Sequence, residues 1–192
     1  MKRHLSFIAL ILSLYVSGCA HRIDVQHYPF GSPIHHANNG VEFIDMGLPE
    51  DAMREFKTAL AENPYFSPAL AGKGIYWALE GVPDVANGYL ALAKRYASTP
   101  DEKNFALVMS MRVSLILGGN GWFDRVSRDF GEIVAVNPDN EEALYWMGVS
   151  LLRGGDMEEA QKKLKRVVEL EGKHKRDAER DLREMKLNNT KP

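Results

Sequence analysis

The chain has a single cysteine and no strong excess of either charge. Cys19 is the only cysteine among 192 residues, so no disulfide bond can form within one chain. Lysine and arginine together number 24, aspartate and glutamate number 26, and the formal net charge is −2. A nucleic-acid-binding surface needs a concentration of basic residues, which this balance does not supply. We therefore expect no nucleic-acid partner.

Long apolar runs are also missing, apart from one near the start of the chain. Residues 5–16 form an apolar run of 12 residues behind Lys2 and Arg3, whereas about 20 residues are needed to cross a bilayer as a helix. A basic start followed by a short apolar run is typical of a signal peptide. The run ends at residues 16–19, Val-Ser-Gly-Cys, which resemble the lipobox of bacterial lipoproteins with Val in place of the commoner Leu.

The lipobox resemblance implies a membrane anchor. In lipoproteins the residues before the cysteine are removed, here residues 1–18, and the cysteine, here Cys19, receives a diacylglycerol and an N-acyl chain. Two or more acyl chains hold a protein stably at a membrane. Ala20 follows, where an Asp favours inner-membrane retention in many Gram-negative bacteria. The resemblance therefore implies the periplasmic side of the outer membrane. The alternative is a chance thiol at the end of an apolar segment.

Residues 19–32 are expected to be an acylated tether between the membrane and a folded domain. If extended, residues 21–32 would reach up to about 40 Å. The tether holds four apolar side chains, which is more than a pure spacer needs: Ile23, Val25, Tyr28 and Phe30. The sequence leaves open whether this segment is a free spacer or packs on the domain that follows.

No residue pattern indicates catalysis or metal binding. His35 and His36 are adjacent, so on a helix they point about 100° apart, and no cysteine or carboxylate stands at ligand spacing from them. No serine or cysteine lies in a recognisable nucleophile motif. We expect a protein that is not an enzyme, with no metal and no cofactor beyond the acyl chains on Cys19.

Small and apolar residues recur with a period of 34 residues. Gly40, Gly74 and Gly148 are each followed 12 residues later by an alanine and 16 residues later by a large apolar residue. Pro64 and Pro138 close two of these units. The pattern resembles the tetratricopeptide repeat (TPR) family, whose 34-residue unit is two helices joined by a turn. The residues that follow the glycines are Ala52, Ala86, Ala160, Phe56, Leu90 and Leu164.

The resemblance implies an all-α fold, a right-handed α-solenoid of about four helix–turn–helix units with a C-terminal capping helix. Six residues, 101–106, stand inserted before the third unit. In that unit Val126 and Ile133 replace small residues, and Val126 would hold its two helices further apart. The expected units are residues 33–66, 67–100, 107–140 and 141–174, followed by a charged capping helix and tail at 175–192.

Local signals support these boundaries. Helix N-caps are expected at three polar residues, Ser67, Thr99 and Asp156. Ser67 and Thr99 each precede a proline, and Thr99 and Asp156 are each followed three residues later by a glutamate. Position 15 of every unit is a glycine, where the first helix must end and the chain must turn. These glycines are Gly47, Gly81, Gly121 and Gly155.

In the TPR family, residues of the first helix of each unit line an inner groove, and the resemblance places apolar residues there. Arg153 is the only basic residue at these positions, which excludes the mode in which Lys, Arg and Asn bind a peptide's terminal carboxylate. The inner-groove candidates are Ile34, Val41, Ile44, Ala71, Ile75, Leu79, Val108, Met111, Leu115, Tyr145, Val149 and Leu152.

Leaving such a groove in water costs about 25 cal/mol per Å², so something should cover it. The candidates are an amphipathic segment of a partner, the tether, the capping helix, a second copy of the chain, or tight curvature of the repeat stack itself. Trp122, which follows the glycine-rich residues 118–121, is the candidate exposed residue that would hold a partner.

The leading hypothesis is a lipid-anchored periplasmic scaffold that binds an envelope protein or an amphipathic peptide segment. Known lipoproteins of this build assist the assembly of outer-membrane proteins, pili or secretion channels, or recruit cell-wall enzymes. The alternative is a structural lipoprotein whose groove is filled by a second copy. A glycan binder or lyase would need paired carboxylates, and the groove positions supply only Asp45 and Glu142, which lie in units one and four.

Overall fold

A computed structural model of the protein describes residues 31–189, in which the backbone forms nine helices and no strand. The predicted signal peptide, Cys19 and most of the predicted tether lie outside these residues. The helices are α1 Pro33–Asp45, α2 Pro49–Glu62, α3 Ser67–Leu79, α4 Pro83–Tyr96, α5 Pro100–Leu117, α6 Trp122–Val136, α7 Glu141–Gly154, α8 Met157–Leu170 and α9 Lys175–Asn189.

The helices pair along the chain into four helix–turn–helix units. α1 packs against α2, α3 against α4, α5 against α6 and α7 against α8, and each unit also packs on the next. α9 packs on α8 and so covers the end of the stack. The described chain is therefore an all-α solenoid with one continuous apolar core. No helix between residues 31 and 189 combines the length and the apolarity that a bilayer crossing needs.

Each pair of helices turns at a glycine whose backbone is left-handed. Gly47, Gly81, Gly121 and Gly155 have φ angles of 74°, 71°, 68° and 85°. A residue with a Cβ atom is strained in this conformation, whereas glycine adopts it freely. The predicted turn glycines are confirmed at Gly47, Gly81 and Gly155, whereas α5 ends four residues before Gly121, which instead stands at the N-cap of α6.

Two of the three predicted N-caps are confirmed. The Thr99 hydroxyl accepts from the backbone N–H of Glu102, and the Asp156 carboxylate accepts from that of Glu159. The prediction for Ser67 is wrong, because α3 begins one residue earlier and Phe66 takes the cap position. The buried Ser67 hydroxyl instead donates to the carbonyl of Ala93 at 2.9 Å, which joins α3 to α4.

The inserted residues lengthen one helix. α5 has 18 residues, whereas α1, α3 and α7 have 13, 13 and 14. Because α5 begins at Pro100, residues 101–106 form its first turns, and its four to five additional residues add about 6–8 Å to its length. α5 packs against α3, α4, α6 and α7. In α6, Val126 and Ile133 are both fully buried although they replace the small residues of the other units.

Close approach of glycine to an aromatic ring joins the first two units. The Phe56 ring of α2 lies against Gly40 of α1 and Gly72 of α3, and a Cβ atom at either glycine would overlap the ring. Equivalent contacts join helices within later units, where Gly74 faces Leu90 and Gly148 faces Leu164. Small residues at these crossings let the helix backbones approach, as the repeat pattern predicts.

Residues that depart from the repeat pattern make polar contacts of their own. His36 stands at an apolar position of unit one, and its Nδ1 lies 2.7 Å from the Glu55 carboxylate, which joins α1 to α2. Lys73 stands at an apolar position of unit two, and its ammonium lies 4.3 Å above the Tyr89 ring. Each of these residues therefore replaces an apolar contact between the two helices of its unit with a specific pair of side chains.

We expect Gly72→Ala to lower the free energy of unfolding by about 1–3 kcal/mol, since overpacking against Phe56 outweighs the helix propensity of alanine. The matched control is Gly88→Ala in α4, where a Cβ atom meets nothing within 4 Å, and which should be neutral or stabilise by about 0.5–1 kcal/mol. Urea unfolding followed by circular dichroism measures both. Adding Phe56→Leu should recover part of the Gly72→Ala loss, and equal effects at the two glycines would contradict the packing argument.

Candidate partner-binding surface

The structure buries most of the predicted inner groove. Successive first helices pack directly on one another, so the side chains between them become core. Ile34, Leu115, Val149 and Leu152 are half-buried, and only Leu79 among the twelve candidates is exposed. The groove is thus largely closed by the repeat stack itself, one of the alternatives that the sequence left open. The buried candidates are Val41, Ile44, Ala71, Ile75, Val108, Met111 and Tyr145.

A buried arginine connects three units. Arg112 of α5 is only 4 % exposed, and its Nη2 donates to the Asp45 carboxylate of α1 at 2.5 Å. The guanidinium also lies 4.5 Å from the centre of the Trp146 ring of α7. Its Nε and Nη1 atoms are buried without a hydrogen-bond partner among the described residues. The arginine therefore joins units one, three and four and is held partly by the face of an aromatic ring.

Sequence reasoning missed Arg112 because its position in the repeat is not one that lines the groove. One signal was present, since Arg112 is the only charged residue in the otherwise apolar or small-residue stretch 105–119. A lone charge inside such a stretch is seldom buried unless it is paired.

Removing the Asp45 side chain and removing the Arg112 side chain should lower the free energy of unfolding by different amounts. Asp45→Ala leaves the buried guanidinium without its carboxylate and should destabilise by about 3 kcal/mol. Arg112→Met leaves Asp45, whose side chain is 41 % exposed, free to be hydrated and should cost about 1 kcal/mol or less. Chemical denaturation measures both values. Arg166→Met, which breaks the exposed pair with Asp139, is the control, and a larger loss from Arg112→Met than from Asp45→Ala would contradict the assignment.

At the other end of the solenoid, α9 covers the inner face of the last unit. His174, just before α9, stacks on the Tyr145 ring with their centroids 4.3 Å apart. The backbone N–H of His174 donates to the Glu141 carboxylate at 2.6 Å. A cavity of about 360 Å³ is left between α7 and α9 and is lined by Tyr145, Val149, Leu152, Met157, Arg180, Asp181, Glu184 and Met185. Three of the predicted groove residues therefore face the protein's own capping helix.

Charged groups at this junction have displaced pKa values. Burial acts to raise the pKa of Glu142, but the neighbouring His174 ring and the Lys173 ammonium outweigh burial and lower the pKa to about 2. Lys173 Nζ lies 3.0 Å from the Glu142 carboxylate. Burial also raises the pKa of Tyr145 well above its usual value, and the nearby charge of Asp181 acts in the same direction.

The lowered pKa of Glu142 makes the junction between α7 and α9 sensitive to acid. A carboxylate with a folded-state pKa below its unfolded value stabilises the fold above about pH 4.5, and this contribution is lost as the pH falls towards 2. We expect Glu142→Gln to remove of the order of 2 kcal/mol at pH 7 and less at pH 3. Urea unfolding between pH 7 and pH 3 measures this. Glu50→Gln, which removes an exposed carboxylate of α2, is the matched control, and a Glu142→Gln loss that does not shrink in acid would contradict the interpretation.

Two arginines bind backbone carbonyls of the glycine-rich loop at residues 118–121 and of the last turn of α5 before it. Arg125 donates to the carbonyls of Asn120 and Gly118 at 3.0 and 3.1 Å, and Arg153 donates to the carbonyl of Leu115. The Arg153 guanidinium also lies 5.1 Å from the centre of the Trp122 ring. Trp122 is therefore half-buried and covered, so the expectation of an exposed Trp122 is corrected by the packing of Arg153.

Exposed apolar side chains are instead concentrated at one edge of the solenoid, which we call the turn edge. It is formed by the turns between the first and second helix of each unit. Its apolar side chains range from 37 % exposed at Ile116 to 67 % at Met46. Six large apolar residues stand within three residues of these turns: Met46, Leu48, Leu79, Val85, Ile116 and Met157.

A cleft of about 600 Å³ opens on the turn edge between units two and three. We call it the turn cleft, and it is lined by Ala78, Gly81, Pro83, Asn87, Ile116, Leu117, Gly118 and Arg125. Exposed carboxylates neighbour the lining residues in the chain, namely Glu80, Asp84 and Asp124. The lining combines apolar side chains such as Ile116 and Leu117 with the polar groups of Asn87 and Arg125, and Arg125 keeps its positive charge while it donates to the loop carbonyls.

The adjacent histidines do not form a metal site with other residues of the described chain. His35 Nε2 lies 3.2 Å from the Asn39 amide, and His36 pairs with Glu55. Between residues 31 and 189, no group of three or more His, Cys, Asp or Glu side chains is placed to hold a metal ion.

The paired helices, the small residues at their crossings and the left-handed turn glycines all keep the 34-residue register. The fold is a TPR-like helical repeat. No protein-family model matches the chain, and no curated protein matches it.

Two solved structures are similar to this TPR-like chain. One is YrrB, described as a TPR protein with an unusual peptide-binding site, with 16 % sequence identity over 75 % of this chain and 89 % of YrrB and a TM-score of 0.34. The other is PilF of Pseudomonas aeruginosa, with 14 % identity over 83 % of this chain and 93 % of PilF and a TM-score of 0.35. Helical repeats of this kind are generally protein-interaction scaffolds.

Proposed function

We propose that this protein is a membrane-anchored periplasmic scaffold that binds an envelope protein at the turn cleft. The observation that carries the proposal is the turn cleft itself, an open hollow between units two and three that is lined by both apolar and polar side chains. Ile116 lines the cleft and is 37 % exposed, and Leu79, which follows the lining residue Ala78 in the chain, is 46 % exposed. Exposed apolar patches of this kind mark interaction sites, because leaving them in water is unfavourable.

The chemistry of the turn cleft favours an amphipathic segment of a partner. Pro83, Ile116 and Leu117 of the lining can contact aliphatic or aromatic side chains of such a segment. The carboxylates of Glu80, Asp84 and Asp124 would attract basic residues that flank those side chains. Partners compatible with this chemistry include an outer-membrane protein in assembly, a pilus or secretion component, and a cell-wall enzyme.

The anchor part of the proposal rests on the sequence. The short apolar run, the lipobox-like residues 16–19 and the single cysteine support acylation of Cys19, and Ala20 supports the outer membrane. Anchoring would hold the scaffold in the membrane plane and so raise the local concentration of partners that share the membrane.

Self-association through the same surface is the alternative. Two turn clefts facing each other would bring six carboxylates close together, namely Glu80, Asp84 and Asp124 of each copy. Like charges at an interface oppose association. The carboxylates that neighbour the cleft in the chain outnumber the one cation of its lining, Arg125, which favours a partner with basic residues over a second copy of this chain.

Photo-crosslinking in the native host tests the proposal. A photoreactive residue at Ile116 should give an adduct with another protein in the membrane fraction, and Leu79→Lys should abolish that adduct. Val136 is the matched control, because it is 77 % exposed but lies at the opposite edge of unit three. Cys19→Ser should move the chain out of the membrane fraction.

Three outcomes would contradict the proposal. Equal adducts from Ile116 and Val136 would show non-specific contact, and an adduct of twice the chain mass would show self-association. Retention of the Cys19→Ser chain in the membrane fraction would contradict the acyl anchor while leaving the partner surface to be judged by the adducts alone.

A further inference from the structure

The glycine-rich loop contains an exposed peptide bond between Asn120 and Gly121. Both residues are exposed and lie in the turn between α5 and α6. Within residues 31–189, the Gly121 N–H donates to no backbone carbonyl. Gly121 has no Cβ atom, so the Asn120 side chain can approach its nitrogen closely. The side-chain amide of an asparagine in such a turn is open to attack by the backbone nitrogen of the glycine that follows it.

The sequence holds two other Asn-Gly pairs, and both lie inside helices. These are residues 39–40 of α1 and residues 87–88 of α4. Inside an α-helix the glycine N–H donates to the carbonyl four residues earlier, so its nitrogen is held away from the asparagine side chain. The Asn39 amide also lies 3.2 Å from the His35 ring. Residues 120–121 are therefore the pair whose glycine nitrogen is not held by a helix.

A fixed positive charge contacts the same peptide bond. Arg125 Nη1 donates to the Asn120 carbonyl at 3.0 Å, and its Nη2 donates to the Gly118 carbonyl at 3.1 Å. The Asn120 carbonyl and the Gly121 nitrogen belong to one amide group. When that nitrogen loses its proton, negative charge spreads onto the carbonyl oxygen, where the guanidinium stabilises it. Arg125 therefore makes the Gly121 nitrogen a stronger nucleophile at neutral pH.

Two other charged groups lie near the loop. Asp124 Oδ2 lies 3.8 Å from the position that a Cβ atom at Gly121 would take. Its negative charge opposes that of Arg125. Arg153 binds the carbonyl of Leu115 rather than that of the exposed peptide bond. Among residues 31–189, Arg125 is the side chain that donates directly to the amide oxygen, so its charge acts on that oxygen at the shortest range.

We propose that residues 120–121 are a self-modifying site, at which Arg125 promotes conversion of Asn120 to aspartate and isoaspartate. Hydroxide takes the Gly121 N–H proton, and the nitrogen attacks Asn120 Cγ. A C–N bond forms, the Cγ–Nδ2 bond breaks, and the side-chain nitrogen takes a proton from water and leaves as ammonia. Water then opens the resulting cyclic imide at either carbonyl, which gives aspartate or isoaspartate at position 120. Nothing is oxidised or reduced, and water and hydroxide are the co-reactants.

The isoaspartate product changes the charge of the turn cleft. When water opens the imide at the former backbone carbonyl, that carbon becomes a free carboxylate and the chain continues through Cγ. The oxygen that Arg125 already contacts then carries negative charge, so its hydrogen bond becomes an ion pair. Arg125 is the one cation among the described residues that line the cleft, so each modified chain has a more acidic cleft. The reaction does not depend on whether the cleft binds a partner.

Mass spectrometry of the purified full chain tests where modification occurs. Incubation at neutral pH in isotopically labelled water marks the carboxylates that form before digestion, and electron-based fragmentation separates isoaspartate from aspartate. In the folded chain, Asn120 should convert at least about tenfold faster than Asn39 or Asn87, whose helices must open first. In concentrated urea the three should convert at similar rates, because the protecting helices are lost. Equal rates at the three asparagines of the folded chain would overturn the proposal.

Replacing Arg125 tests the role of its guanidinium. Arg125→Gln should slow the conversion of Asn120 about tenfold in the folded chain, which corresponds to about 1.4 kcal/mol of lost stabilisation, and should leave the rate in urea unchanged. A purely structural role predicts the opposite sign, because a loosened loop would react faster. Arg125→Lys keeps the charge and should recover part of the rate. Arg128→Gln, at an exposed position of α6, is the matched control. An unchanged or faster rate in Arg125→Gln, with its helices retained by circular dichroism, would refute the role of Arg125.

Discussion

The close approach of helix backbones at glycine and alanine crossings is the constraint on which the rest of this structure depends. Phe56 can fill the space between α1, α2 and α3 only because Gly40 and Gly72 have no side chains there. The same relation recurs where Gly74 meets Leu90 and Gly148 meets Leu164. Each unit is too small to bury its apolar face alone, so these contacts tie the stability of one unit to that of its neighbour.

Tight stacking also decides where a partner can bind. Once successive first helices pack on each other, the inner face becomes core, and Ile75 and Met111 are fully buried. Arg112 is enclosed with them and joins units one, three and four through Asp45 and Trp146. Between residues 31 and 189, six of the ten exposed large apolar side chains stand at the turns within units, where the helices end.

Much of the helical architecture follows from local residue patterns. Turn glycines such as Gly47 need a backbone that other residues adopt at a cost, and caps such as Thr99 satisfy N–H groups that a helix start leaves free. Both effects act within a few residues and can be predicted from the sequence. Ser67 shows the limit, because a carbonyl of α4 attracts its hydroxyl away from the cap position. Which of two partners a hydroxyl chooses depends on helices that are distant in the chain.

The sequence by itself determined the period, the helix pairs and the glycine turns, because these depend on conformational preferences and on small residues at a fixed spacing. Only the tertiary structure decided the exposure of individual side chains. The predicted groove residue Val108 is core, Trp122 is covered by Arg153, and Leu79 and Ile116 border an open cleft. Burial depends on the angle at which each helix packs against its neighbours. That packing angle is set by all the helix crossings together rather than by any one stretch of residues.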